Sequence, residues 1–190
     1  MSSTFVEERI EVTFDDSWTS VVKWDRERAY QDGIRKLHPT RGVDFCGVRD
    51  GGDRDRSLYF IELKDLRGHR IENKKRLQDV GAGPCTECGS VKPTLHQEVA
   101  LKVRDTLAGL VAAAHKRQPE SGRWQPLAEA MIRWDKPICV ILWLDEDHMA
   151  APAQPSIHID NLKKHLRWLT SRVSVVNSMR PPPGVTARYL

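Results

Sequence analysis

Two short stretches hold the residues best placed to do chemistry: "GVDFCGV" at 42–48 and "SLYFIELKDLRG" at 57–68. The second begins as a strand should, with Leu58, Tyr59, Phe60 and Ile61, then runs without a turn signal into Glu62, Leu63, Lys64 and Asp65. Alternate residues of a strand share a face, so Leu58, Phe60, Glu62 and Lys64 point one way and Tyr59, Ile61 and Leu63 the other. In the first stretch Asp44, Cys46 and Val48 share a face. Between the two lies "RDGGDRDR", a Gly- and Asp-rich turn. An antiparallel hairpin centred on Asp53 pairs residues whose numbers sum to 106, which sets Asp44 opposite Glu62. A bulge would shift that register by one. Facing residues have Cβ atoms roughly 4.5–5.5 Å apart, so two carboxylates converge, with Lys64 two positions along on the same face.

Facing carboxylates repel each other unless something positive sits between them. A hard divalent cation answers that need, because Mg²⁺ takes oxygen ligands and keeps several waters. Such a cation polarises a phosphoryl oxygen and lowers the pKa of bound water, which an adjacent lysine can orient or deprotonate. The chemistry that fits is in-line attack on a phosphodiester.

The Asp of "GVDF", followed 18 residues later by the Glu of "IELK", resembles the PD-(D/E)XK nuclease superfamily, the restriction-endonuclease-like fold. Val43 stands where that family often has proline. The resemblance implies that Asp44 and Glu62 hold Mg²⁺ or Mn²⁺, with the Leu63 carbonyl as a further ligand, and that Lys64 positions the nucleophilic water. It further implies an acid from the first helix, Glu27 or Asp25, and a supporting residue on the second, Gln97. The expected fold is α/β, a mixed central sheet flanked by helices, in the order helix, three-strand meander, helix, strand. The substrate would be DNA or RNA, DNA preferred, cut within a bacterial restriction, repair or phage-defence system by a homodimer or with partner proteins. The competing reading is a non-catalytic nucleic-acid-binding or scaffolding subunit of the same fold.

Other residues offer chemistry of their own. Cys85 and Cys88 in "GPCTECGS" have the C-x₂-C spacing of a zinc half-site, with Cys46, Cys139, His69 and His96 available to complete it. A reduced thiol pair in a loop is the plainer alternative. "LDEDH" at 144–148 clusters three acids and a histidine at a strand end, usually solvated loop. His115, His158 and His165 stand alone on helices and read as surface or packing residues. Arg67, Arg70, Lys74 and Lys75 come soon after the acidic motif, where a phosphate backbone entering the site would meet them.

The elements that must position these residues can be read more coarsely. Phe5–Phe14 alternates apolar and charged residues and predicts an edge strand or hairpin arm, with Val6, Ile10, Val12 and Phe14 on one face. Ser17 caps a helix expected within Trp18–Leu37, broken near Gly33. Residues 67–93 are polar loop with a short helix. Thr94 and Gln97 form a capping box that opens the clearest helix, whose stripe is Val99, Val103, Leu107, Leu110, Val111 and Ala114. A shorter helix falls within Gln125–Trp134, a buried strand within "KPICVILWLDED", and an amphipathic helix in "SIHIDNLKKHLRWL" with Ile159, Leu162, Leu166 and Leu169 inward. "RVSVVN" is the last strand, and about 180–190 a trailing arm.

Composition narrows the function classes. The chain has 190 residues, 39% hydrophobic and 29% charged, which suits one domain with a single core. Its net charge of +4 and pI of about 8.9 are compatible with a phosphate-bearing partner. The longest apolar run, "ICVILWL", is too short to span a bilayer. Four cysteines make no disulfide framework, and "MSSTFVEERIEV" has no secretory pattern. The expectation is a cytoplasmic protein without a membrane partner.

Overall fold

The computed structural model describes residues 2–37, 39–50, 56–78, 93–116, 124–132, 137–147 and 154–190. Its centre is a five-stranded mixed sheet in the order β3(Trp18–Lys23), β4(Phe45–Asp50), β5(Arg56–Asp65), β6(Ile138–Asp145), β7(Val173–Val176). The first three strands form an antiparallel meander, while β5–β6 and β6–β7 are parallel. A second sheet of three antiparallel strands, β1(Ser3–Glu7), β2(Ile10–Phe14) and β8(Val185–Tyr189), packs against it. The helices are α1(Arg28–Gln31), α2(Arg70–Leu77), α3(Leu95–Lys116), α4(Gln125–Ile132) and α5(Gln154–Leu166).

Alternation along the central strands sorts the core into two layers. Cys46, Val48, Leu58, Phe60, Val140 and Leu142 meet Leu95, Val99, Val103 and Leu110 of α3 together with Leu162 and Leu166 of α5. Phe45, Ile61, Leu63, Ile141 and Trp143 turn the other way, onto Ile10, Val12, Phe14 and Val185 of the small sheet. Helices therefore pack against one face of the central sheet and strands against the other, which corrects the expectation of a sheet flanked by helices.

Three local expectations change with the layers. The helix expected from Trp18 is instead the strand β3, since Thr19, Val21 and Val22 are β-branched and favour a pleated strand. Ser17 caps no helix there; its N–H and hydroxyl both donate to Asp15 Oδ1, at 2.9 and 2.5 Å, in the turn that launches β3. After β3 come two single 3₁₀ turns around the four-residue α1, divided at Gly33. The stretch 5–14 is a hairpin whose two-residue turn, Glu8 and Arg9, resets the alternation, so Val6 faces outward while Ile10, Val12 and Phe14 are buried. The trailing arm is β8, held antiparallel on β2, with Leu190 donating its N–H to the Arg9 carbonyl at 3.0 Å.

The long helix agrees with its sequence pattern. Gln97 N–H donates to Thr94 Oγ1 at 3.3 Å and Thr94 N–H to Gln97 Oε1 at 3.1 Å, the reciprocal capping box. Val111 is the exception to its apolar stripe and is half exposed. On α5, Leu162 and Leu166 are buried as expected, and so is His158, which meets His96 of α3 with 2.9 Å between ring nitrogens. Burial and the neighbouring His96 push the His158 imidazole down to about 4. No helix among the described residues is long and apolar enough to cross a membrane.

Candidate metal centre

The β4–β5 register pairs Phe45 with Ile61 and Cys46 with Phe60, sums of 106, so Asp44 enters the meander across from Glu62. Three bonds hold the approach to Asp44. Arg41 N–H donates to Asp105 Oδ2 and Val43 N–H to Thr106 Oγ1, both at 3.0 Å and both acceptors on α3, while Trp24 N–H donates to the Asp44 carbonyl at 2.9 Å. The Asp44 carboxylate accepts the Leu63 N–H at 2.7 Å. Leu63 therefore meets the site through its amide, and its side chain lies in the core between the sheets.

Glu62 is a carboxylate with no exposed surface. Its Oε1 receives two ammonium groups, Lys64 Nζ at 2.8 Å and Lys102 Nζ at 2.5 Å. Its Oε2 has no hydrogen-bond partner among the described residues. A buried carboxylate oxygen left unpaired is costly, on the order of 1–3 kcal/mol. Lys102 Nζ also stands 3.9 Å from Asp44 Oδ1, so one cation leans on both acids.

The charges bias one another. Burial, and then the charge of Glu62, push the Asp44 carboxyl up to about 7, against 3.8 for a free side chain. Burial opposes the Lys64 ammonium, but Glu62 and Glu98 outweigh it and hold the group above its ordinary value. Burial likewise opposes the Glu98 carboxylate, and the cations Lys64, Arg76, Lys102 and Arg41 overcome it and draw its pKa down. Lys64 is thus a fixed cation at neutral pH, suited to orienting a water or a phosphate oxygen rather than to taking a proton.

A second group of acids adjoins the first. Glu7, Asp25 and Asp44 place carboxylate oxygens within 4.8 Å of one another, and Asp25 Oδ1 is buried without a hydrogen-bond partner among the described residues. Burial raises the Asp25 carboxyl. Glu7, Asp25 and Asp44 are the hard oxygen donors close enough to share one Mg²⁺-type cation, and the unpartnered oxygen of Glu62 lies outside that trio.

The remaining residues singled out by sequence are scattered around this centre. Asp25 joins the acids, whereas Glu27 lies two residues on, at the start of α1, and lines a separate cleft near β1 and β3. Gln97 is exposed and occupied with the α3 cap; its neighbour Glu98 turns inward, 3.5 Å from Lys64 Nζ. Arg67 is committed to Asp65 at 2.8 Å and stacks on Tyr189 at 3.4 Å, away from the acids. Lys74 and Lys75 are exposed on α2, Arg70 begins that helix, and the next cation, Arg76, pairs with Glu98. Asp145 of the "LDEDH" run is structural, accepting from Ser178 N–H at 2.9 Å and from Trp143 Nε1 at 3.2 Å. Cys85, Cys88 and His148 lie outside the described residues; Cys46 is a buried thiol of β4, and Cys139 a half-buried one of β6.

Sequence reasoning missed Glu98 and Lys102. Their i, i+4 spacing was the available signal, since both flank the Val99–Val103 stripe and so must graze the buried face. Beside them opens a cleft of about 390 Å³ whose walls include Asp25, Asp44, Glu98 and Lys102, with Arg35 and Arg41 also lining it.

The chain matches no protein-family model, and no match emerges among curated proteins or solved structures.

Proposed function

We propose that the chain is a divalent-metal-dependent nuclease of the PD-(D/E)XK type, hydrolysing phosphodiester bonds in nucleic acid, DNA in preference to RNA. One observation carries the reading: Glu62, fully buried beside Asp44 across the β4–β5 hairpin, keeps an oxygen without a partner among the described residues and has a same-face lysine two residues on. The strand plan supports it, because an antiparallel meander followed by a helix and a parallel strand is the order that the sequence resemblance implies. The helix expected before the meander is replaced in that position by the β1–β2 hairpin.

In this reading Asp44 and Glu62 hold the cation, with Asp25 as the third carboxylate. A bound Mg²⁺ or Mn²⁺ would supply charge stabilisation at the phosphoryl oxygens and a more acidic water. Lys64, kept charged by Glu62 and Glu98, orients the attacking water or a non-bridging oxygen. Water oxygen bonds to phosphorus as the P–O bond to the leaving oxygen breaks, and that oxygen gains a proton. Lys102 neutralises the acid pair in the free protein and, at the wall of the cleft, is in reach of a substrate phosphate. The strand of nucleic acid runs along the cleft, where Arg35 and Arg41 meet its backbone.

The test is cleavage of single- and double-stranded DNA and of RNA with Mg²⁺ or Mn²⁺. Wild type is expected to cut, and folded Asp44→Asn and Lys64→Ala proteins to fall by at least about a hundredfold. Binding without cleavage on every substrate would overturn the catalytic reading in favour of a non-catalytic binding or scaffolding subunit.

A further inference from the structure

Among the described residues Trp18, Trp24, Trp124 and Trp143 are core residues at most 5% exposed, whereas Trp168 is 56% exposed. It stands just after α5, in a turn that the N–H groups of Leu169 and Thr170 close by donating to the Leu166 carbonyl at 2.8 and 2.9 Å. Lys164 precedes it by about one helical turn, Lys163 precedes Arg167 by the same step, and Arg172 follows. All four cations are exposed, and none is ion-paired among the described residues. The cations around the acidic centre differ, since Lys23, Lys64, Arg76 and Lys102 each pair with a carboxylate. From Asn161 to Arg172 the sequence holds no acid. Cations in the last turn of α5 suit the negative end of its dipole, but that role asks for neither an exposed indole nor Arg172 beyond the helix.

We propose that Trp168, with Lys163, Lys164, Arg167 and Arg172, forms a docking surface for single-stranded nucleic acid, apart from the acidic centre. An unpaired base stacks on the indole, and the phosphates on either side of it meet the cations. A duplex offers phosphates but keeps its base faces stacked inside, so the indole selects the single strand. An acidic peptide would match the charge and leave the ring idle. A bilayer would need a broad apolar face, and Leu162, Leu166 and Leu169 of this stretch are packed on the core. Thr170 Oγ1 donates to the Ile138 carbonyl at 2.7 Å, which fixes the turn beside the start of β6. On the parallel strand β5, Ile138 pairs with Leu58 and Leu142 with Glu62. At about 3.3 Å per residue, that anchor lies about 13 Å along the sheet from Glu62. The surface therefore holds a strand at a distance from the acids and takes no part in the reaction. It serves a cleaving chain and a purely binding one alike.

Binding of the full-length chain to a fluorescein-labelled oligothymidine of about 20 nucleotides is measured by anisotropy in chelator, where no cleavage intervenes. Trp168→Ala is expected to weaken it about tenfold, and Trp168→Phe, which keeps a stacking face, to recover most of the loss. Binding to a duplex of the same length should change by less than about twofold in both variants. Lys163→Ala combined with Arg167→Ala should flatten the plot of log affinity against log salt by about 1.4, two phosphate contacts at about 0.7 each. On wild type alone, oligothymidine should shield the exposed indole from acrylamide quenching. A Trp168→Ala protein that melts like wild type yet binds oligothymidine unchanged overturns the proposal. So does an equal loss on the duplex, or tighter binding to poly-glutamate or to phosphatidylserine vesicles than to oligothymidine. Cleavage with Mg²⁺ is scored separately. Oligothymidine bound through Trp168 but left intact keeps this surface and removes the nuclease reading, while cleavage with binding indifferent to Trp168 does the reverse.

Discussion

Replacing Asp44 by Asn should stabilise the metal-free chain, and by an amount that grows with pH. Asn keeps an oxygen to accept the Leu63 N–H, now 2.7 Å from Asp44, but cannot ionise beside Glu62. In the fold the Asp44 carboxyl is pushed up to about 7 from 3.8, so the native state holds its proton more tightly than the unfolded chain does. Stability from that proton is complete below about pH 4 and is lost as pH rises through 7. About three pH units at about 1.4 kcal/mol each give a full difference of about 4 kcal/mol. For a chain of this size that is about 8–16 °C in melting temperature. Urea titrations of both proteins in chelator, from pH 4 to 8, measure it; their difference cancels the titration of other groups. The variant should match wild type near pH 4 and exceed it by several kcal/mol at pH 8. Adding Mg²⁺ should raise wild type and leave the variant nearly unmoved. A stability difference that stays flat across the range would refute the picture of an Asp44 carboxyl that burial and the charge of Glu62 hold protonated in the fold.

Lys102→Met should leave Glu62 with Lys64 alone and lower stability by about 1–3 kcal/mol in urea, the cost of unpairing a buried charge, while Lys64→Ala is expected to cost activity as well. Arg35→Ala combined with Arg41→Ala should weaken nucleic-acid binding on every sequence alike and flatten the plot of log affinity against log salt by about one to two, read by fluorescence anisotropy. Gly109→Val should destabilise by about 1–3 kcal/mol in thermal melts, because a Cβ there would stand 2.9 Å from the fully buried Trp24 ring.

The part of the site that depends on period two was readable from residues alone. Strand alternation and a symmetric turn were enough to put Asp44 across from Glu62 and to send Leu63 to the other face. Partners contributed by tertiary packing were not. Glu98 and Lys102 look like ordinary polar positions on α3 until that helix is laid across the sheet, where they become close partners of Lys64 and Glu62. The same limit misassigned Trp18–Lys23. Its neighbours Asp25, Arg26 and Arg28 dilute the β-branched run, and only pairing with β4 decides that it is a strand. The second sheet was not legible because its third strand, Val185–Tyr189, comes directly after "RPPPG" and alternates only weakly.

That third strand also sets an order of events. Val185 belongs to the core between the sheets, and the Pro183 carbonyl accepts the Trp18 indole N–H at 3.0 Å. The β1–β2 hairpin can form early, since its contacts are local. Its strand β2 must wait for a partner about 175 residues later in the chain, a long-range closure that costs entropy before it returns contacts. During synthesis the face of the central sheet bearing Trp143 and Ile141 is therefore only partly sheltered until β8 has left the ribosome. Among the described residues the charged side chains of the acidic centre come from positions 7 to 102, well before Val185–Tyr189 in the chain, so they can come together first and be secured once that strand has docked.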